Sequence, residues 1–299
     1  MNFFNKTIVA ILPLLPKSIV KIFSKKYVAG ITDDEALDVV AKLNQENQFT
    51  TIDILGEHTQ DREESLEIVA NYINLLEKIG TRKLNCNLSI KPSHIGSDIN
   101  YDTVFNNFKS ILETASQFNN FIRIDMESSK LTDTTIKLYN DLHPISSNIG
   151  IVFQAYLHRT ENDINNLNKH SNIRLCKGIY KESSDIAYQG YEEINKNYLK
   201  LLELTFKKEI YVGIATHDKQ LIHSSMDLIN KMGIDNNMFE FQYLYGVPMK
   251  NIIKIYHDKN FKVRVYVPFG KEWYDYSIRR IKENPKIASY VIKNILSKN

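Results

Sequence analysis

The chain is 299 residues long, 43% hydrophobic and 24% charged, with 38 basic against 35 acidic side chains and a formal net charge of +3. That is the composition of an ordinary globular protein, long enough for two average domains or one barrel with additions; the balanced charge, with no basic stripe interleaved with aromatics, excludes nucleic acid as a partner. Only two cysteines occur, Cys86 and Cys176, both in apolar strand-like runs, which excludes a disulfide framework and indicates a reducing compartment such as the cytoplasm.

At the N-terminus, residues 7–15 are apolar, but Pro13 breaks the run and Pro16 follows it, so it is too short to span a bilayer. One lysine precedes it, no small-residue cleavage site follows, and the first arginine of the chain is Arg62. These features argue against a signal peptide and against an Arg-rich transit peptide. Residues 18–26 mix apolar and basic side chains at helical spacing. They read either as short helices packed on the main domain or as a peripheral contact with the inner face of the cytoplasmic membrane, basic side chains toward lipid headgroups.

From residue 50 onward, short β-branched runs alternate with amphipathic stretches. The strands are expected at 51–55, 84–90, 121–126, 150–156, 173–177, 210–215, 239–244 and 263–267. Helices are expected at 64–79, 101–117, 133–142, 161–168, 184–206, 219–232 and 249–259, with another after Gly270. Eight strand–helix units with short connections predict an α/β fold, a single (β/α)8 TIM-type barrel over 50–299 behind an N-terminal helical extension of 1–49. No Gly-x-Gly-x-x-Gly follows the first strand, which disfavours an open doubly wound sheet.

In such barrels the chemistry sits where strands end. The expected ends carry Glu57, Lys91, Asp125 with Met126, Gln154, Arg174 with Lys177 and Tyr180, Thr216 with His217, Gln242 with Leu244, and Tyr266. Each alone admits a plain structural role: Glu57 as a cap of the following helix, His217 as a hydrogen-bonded core histidine. Eight convergent polar ends together indicate a site. After the last strand, Tyr276, Arg279, Arg280 and Glu283 are spaced to share one helix face. An isolated arginine pair reads as a solvated turn; beside Trp273 and Tyr276, just past a strand end, it reads as a clamp for a carboxylate or phosphate.

Metal chemistry is not expected, because His217 and Asp218 are adjacent and point to opposite faces, while Cys86 and Cys176 have no spaced partners. Ser89 and Cys176 lie inside strands without a nucleophile elbow. Lys177-Gly178 after Arg174 makes a basic turn with an accessible backbone, suited to phosphate. A cationic site without a free pair of catalytic carboxylates fits an anionic small molecule and a redox cofactor that brings its own chemistry.

In order, Leu55-Gly-Glu57, Lys91-Pro, Ile124-Asp-Met126, Arg174-Leu-Cys-Lys-Gly-Ile-Tyr180, Ala215-Thr-His217, Glu240-Phe-Gln-x-Leu244-x-Gly246 and Arg264-x-Tyr-x-Pro, then Trp273, Tyr276, Arg279-Arg280 and Glu283, resemble the proline dehydrogenase family. The resemblance covers about residues 27–292. It implies FAD-dependent oxidation of L-proline to Δ1-pyrroline-5-carboxylate by hydride transfer from C5 to flavin N5, with electrons passed to a membrane quinone. It implies that Arg279 and Arg280 hold the substrate carboxylate, with Lys91 near it and Asp125 organising the pocket. Tyr180, Leu244, Tyr266 and Tyr276 resemble the walls around the pyrrolidine ring. Met126, Gln154, Arg174, Lys177, Gly178, Ile179, Thr216, His217 and Glu283 resemble the FAD contacts, with Arg174 beside the reactive nitrogen, and Glu57 resembles a gate that pairs with Arg279.

The chain departs from the family pattern at Asp218, often asparagine, at Cys176, usually aliphatic, and at Ile179, usually alanine. The extra charge of Asp218 near the cofactor phosphates is expected to loosen FAD. The chain also lacks the DNA-binding and aldehyde dehydrogenase modules of long bifunctional relatives, which implies a separate pyrroline-5-carboxylate dehydrogenase downstream. The rival readings are another FAD barrel such as methylenetetrahydrofolate reductase, a hydroxyproline dehydrogenase (Tyr276 resembles the proline-preferring form), and a barrel that binds proline or flavin without turnover.

Overall fold

Eight short parallel strands close on themselves in chain order. The computed structural model describes residues 20, 21 and 24–283, the side chains of 281–283 excepted. Most of residues 7–26, and the side chain of Glu283, therefore lie outside the described residues. A lead-in helix α1 (Asp33–Gln45) precedes the barrel, followed by β1 (Phe49–Ile54), α2 (Arg62–Thr81), β2 (Cys86–Ile90), α3 (Tyr101–Gln117) and β3 (Ile122–Ile124). Then come α4 (Thr132–Leu142), β4 (Ile149–Gln154), α5 (Thr160–Asn165), β5 (Asn172–Cys176), α6 (Tyr191–Lys207) and β6 (Tyr211–Ala215). The chain continues through α7 (Lys219–Met232), β7 (Phe239–Leu244), α8 (Lys250–Asp258), β8 (Val263–Phe269) and α9 (Trp273–Glu283). β8 pairs back to β1 from Phe49↔Arg264 to Ile54↔Phe269. The predicted eight-stranded barrel is the fold observed.

Alternation along each strand explains why these segments form strands. Ile52, Leu88, Ile122, Ile124, Ile151, Ile173, Val212, Ile214, Phe239, Val263 and Val265 are fully or almost fully buried and belong to one apolar cluster with the helices. Successive side chains of a strand point to opposite faces, so the intervening residues turn into the barrel. That inward set is mostly polar, with Thr51, Asp53, Ser89, Arg123, Asp125, Arg174, Glu240, Gln242, Arg264 and Tyr266. Barrels of this kind are usually filled with branched aliphatic side chains; here paired ions fill the centre. Arg264 donates to Glu240 at 2.6 and 3.0 Å, and Gln242 donates to the same carboxylate at 2.6 Å. Arg123 donates to the Asn172 carbonyl and to its side-chain oxygen at 2.8 and 2.5 Å. Glycines 150 and 213 leave the room these heads occupy, since a Cβ there would collide with Arg123 or Gln242.

Several boundaries differ from the sequence reading, each for a local reason. The stretch 184–190 is not helical: Leu157 bridges to Ala187, Tyr188 N–H donates to the Tyr156 carbonyl at 2.8 Å, and α6 starts only where Glu193 accepts from Gly190 N–H. β2 begins at Cys86 because Lys83 takes a left-handed turn and Leu84 N–H closes α2 on the Ile79 carbonyl. β3 is only three residues long, but Asp125 N–H still bonds the Ile90 carbonyl at 2.9 Å, which continues the ladder into the site. α1 lies within the 1–49 stretch expected to be helical, where no bounds were predicted; a capping box of Thr32 and Glu35 starts it. The cap of α2 is Asp61, not Glu57, so Glu57 remains at the mouth of the barrel. Among the described residues no helix is long and apolar enough to cross a membrane.

Candidate active site

At the C-terminal end of the strands the barrel opens into a cavity of about 720 Å³. Its walls include every predicted site residue whose side chain is described. The floor is an ion network assembled from four strands and the end of a fifth, β3. Arg174, 6% exposed, donates from Nη1 to Asp125 Oδ1 at 2.7 Å and to Ser89 Oγ at 3.0 Å, and from Nε to Gln242 Oε1 at 2.6 Å. Asp125 also accepts from Ser89 Oγ at 2.5 Å and from the Tyr266 hydroxyl at 2.9 Å. The guanidinium lies 5.2 Å from the Tyr266 ring centroid, a cation–π contact. With three side chains fixing the guanidinium and three donors on the carboxylate, neither head is free to swing; the floor is rigid.

Beside it, Lys91 donates to both oxygens of Asp53 at 2.8 and 2.7 Å. Burial works against the ammonium charge, but the Asp53 and Asp125 carboxylates more than offset it and hold the amine above its ordinary range. Asp53 was not among the expected site residues; in the sequence it is a single carboxylate between Ile52 and Ile54. Glu127 was missed as well. It is 2% exposed, accepts from Ser93 N–H at 2.9 Å and Ser93 Oγ at 2.5 Å, and burial raises its pKa.

One side of the cavity has the features of a cradle for a phosphate-bearing cofactor. Gly178 sits at φ +111, and any Cβ there would run into the Tyr156 ring, so the loop presents backbone where other residues present side chains. Lys177, Gln154, Thr216 and His217 add polar heads around it. These donors and that bare backbone fit FAD. His217 accepts the Leu244 N–H at Nε2 (2.9 Å), and burial, then the nearby Arg280 charge, lowers its pKa to about 4. The ring is thus neutral and its proton sits on Nδ1, a donor. The charge of Asp218 is paired within the fold. It is held by Lys177 at 2.5 Å, the Tyr191 hydroxyl at 2.5 Å and Asn195 at 3.3 Å, and it caps α7 through Gln220 and Leu221 N–H. Although burial opposes ionisation, these partners hold its carboxyl well below the usual range. Burial pushes the Cys176 thiol up to about 11, which keeps it protonated and poorly nucleophilic. Among the described residues no cluster of His, Cys, Asp or Glu is placed to hold a metal ion.

The rim is α9. Tyr276 is buried, Arg280 lies 5.3 Å from its ring centroid, and Arg279 faces Glu57 across 3.9 Å, the outer limit of an ion pair. An exposed pair at that distance is worth little. Glu57 therefore does not compete strongly with an anion for Arg279.

The two buried imidazoles give a pH expectation. Burial, then the nearby Lys91, lowers His94 to about 3, while His217 falls to about 4. Both are depressed from an ordinary value near 6.5, so each contributes stability that is present above about pH 6.5 and is lost as pH falls through its folded value. The loss is on the order of 5 kcal/mol for His94 and 3 kcal/mol for His217 once both states are protonated. Chemical-denaturation midpoints should drop between pH 6.5 and 4.5, and His94→Gln should flatten that slope; an unaltered slope would reject the role of His94.

The family model described as Proline dehydrogenase matches residues 36–293. Proline dehydrogenase 2 of Bacillus subtilis (strain 168) is 32% identical over 279 residues, covering 93% of this chain and 92% of the relative. Proline dehydrogenase of Deinococcus radiodurans is 30% identical over 279 residues, covering 91% of this chain and 90% of the relative. The fold is similar to that of proline utilization A from Bdellovibrio bacteriovorus, inactivated by N-propargylglycine: the TM-score is 0.81 at 23% identity, over 88% of this chain and 32% of that longer one.

Proposed function

The chain belongs to the proline dehydrogenase family, and from that premise we propose that it carries out the first step of proline catabolism, oxidising L-proline to Δ1-pyrroline-5-carboxylate with FAD. The observation that carries the reading is the meeting, in one cavity, of the Arg279–Arg280 pair, the Lys91–Asp53 pair and the Arg174–Asp125 floor. The two guanidiniums take the substrate carboxylate by forked hydrogen bonds, with the Lys91 ammonium beside them. Tyr180, Tyr266, Tyr276 and Leu244 close around the ring and keep water from it.

FAD would be held by Met126, Gln154, Arg174, Lys177, Gly178, Ile179, Thr216, His217 and Glu283; when bound, it would supply an acceptor for the hydride from proline C5 and a route for the electron pair to a quinone. Arg174 keeps a positive charge at the cavity floor, fixed by Asp125 and Gln242, so it needs no rearrangement during the reaction. Positioning is the protein's main contribution, because a clamped carboxylate and a walled ring fix the approach of the reacting carbon. Glu57 acts as a gate, drawing toward Arg279 over bound substrate. The product passes to a separate pyrroline-5-carboxylate dehydrogenase, and residues 18–26 bring the enzyme to the membrane that holds its quinone.

Purified protein should show a yellow flavin spectrum, and L-proline added without air should bleach it. A colourless protein, or a band that proline leaves untouched, would overturn the reading.

A further inference from the structure

The segment just before α1 takes a path that the catalytic reading does not use. Ser24 starts a tight turn in which its carbonyl accepts from Tyr27 and Val28 N–H, both at 2.8 Å. The chain then runs over the rim of the barrel: Ala29 N–H donates to the Pro268 carbonyl at 2.9 Å, and Gly270 N–H donates to the Gly30 carbonyl at 3.1 Å. Tyr27 and Val28 are buried, and they form one apolar cluster with Leu55, Tyr276 and Trp273. Leu55 and Tyr276 line the active cavity, and Arg280 lies over the Tyr276 ring. The strap thus wedges the root of the loop after β1 against the first turn of α9.

Gly246, in the loop after β7, explains how the strap fits. It sits at φ +81, and a Cβ there would collide with the Lys26 carbonyl oxygen and come within 3.1 Å of the Tyr27 ring. The carbonyl of the strap occupies the place that a side chain at 246 would take. Glycine is demanded here by a neighbouring backbone as well as by its own dihedral.

We propose that residues 24–30 are a positioning element of the substrate clamp: the strap sets how far α9 tilts over the cavity, and hence where Arg279 and Arg280 meet the carboxylate. The proposal rests on reading Tyr276, Arg279 and Arg280 as the clamp. Tyr27 and Val28 touch neither substrate nor cofactor in this arrangement; they act through Tyr276. The Tyr27 hydroxyl is buried without a hydrogen-bond partner among the described residues, so the contribution of Tyr27 is the volume of its ring.

The test uses the flavin-loaded full chain. Tyr27→Ala and Gly246→Ala should each raise the KM for L-proline roughly tenfold, since displacements of about an ångström in positioning groups carry effects of that size or more. Flavin content should be unchanged and kcat should stay within about threefold. Tyr27→Phe should keep the wild-type KM. Val28→Ala, which trims two methyl groups, should raise KM by a smaller factor and decides the matter if Tyr27→Ala does not fold. An unchanged KM in Gly246→Ala and Val28→Ala overturns the proposal, as does a loss confined to flavin content, because that marks a general packing role. Wild-type protein whose flavin proline cannot reduce defeats the catalytic reading itself. Reactive wild type with unmoved variants defeats only the strap.

Discussion

Arg174→Met is expected to be the most damaging single substitution in the barrel, and to be less damaging at low pH. The guanidinium is the cationic partner of Asp125 at 2.7 Å, with Gln242 and Ser89 as its other contacts, and it is 6% exposed. Removing it leaves a buried carboxylate with only the Ser89 and Tyr266 hydroxyls. Breaking a buried pair from one side typically costs about 3–5 kcal/mol, because the remaining charge stays desolvated. The protein can relieve that cost by taking up a proton. A desolvated carboxylate without its counter-charge favours the neutral acid, so the penalty is smaller in acid than in alkaline solution. Urea unfolding at pH 5 and pH 8 should therefore show a larger deficit at pH 8, and Asp125→Asn introduced alongside should recover part of it. An equal deficit at both pH values, or one below about 1 kcal/mol, would show that the pair is not what holds the floor together. Flavin content should fall in parallel, since the same head lines the proposed cofactor side.

The reason Arg174 was readable from the sequence, while Asp53 was not, lies in what local pattern can carry. Alternation of β-branched residues marks a strand and its two faces from a handful of neighbours, and it identified all eight strands. It does not reveal which residues of different strands stand level, because that depends on the stagger of the whole barrel. Thr51 is level with Tyr266, so Asp53 lies one layer nearer the C-terminal mouth of the barrel than the Tyr266 layer. Without that register, Asp53 is one polar residue between two isoleucines. Lys91 was recognisable at a strand end, but its partner is 38 residues away. Glu127 needed Ser93, 34 residues distant, to become a buried, hydrogen-bonded group.

Asp218 illustrates the same limit from the opposite side. Read beside Thr216 and His217, it was an added negative charge facing phosphates. In the fold it is bound to a lysine 41 residues earlier and to the start of its own helix. Amphipathic spacing likewise suggested a helix through 184–190, yet a turn closed on the Ser183 carbonyl and the bridge from Leu157 to Ala187 keep that segment out of a helix. A local pattern proposes an element, and a tertiary contact with a distant strand end can override it.

The clamp gives the second large expectation. Arg280→Met should raise the KM for L-proline by about 30- to 150-fold, since losing one arm of a charge-assisted carboxylate clamp costs about 2–3 kcal/mol and each 1.4 kcal/mol is a factor of ten. Flavin content should be nearly unchanged. Arg280→Lys should fall between, because the ammonium keeps the charge but loses the planar fork. Arg279→Met should cost less than Arg280→Met, since Arg279 is 39% exposed and better screened by water. A further readout separates loss of the clamp from general damage. The Arg280 charge is the second cause, after burial, of the depressed pKa of His217. Without it the imidazole should titrate nearer its ordinary range, so the acid loss of stability assigned to His217 should shrink in Arg280→Met while that assigned to His94 persists. Equal rises in KM for both arginine variants, with flavin lost in proportion, would indicate a collapsed rim; a KM within threefold of wild type would remove Arg280 from the substrate site.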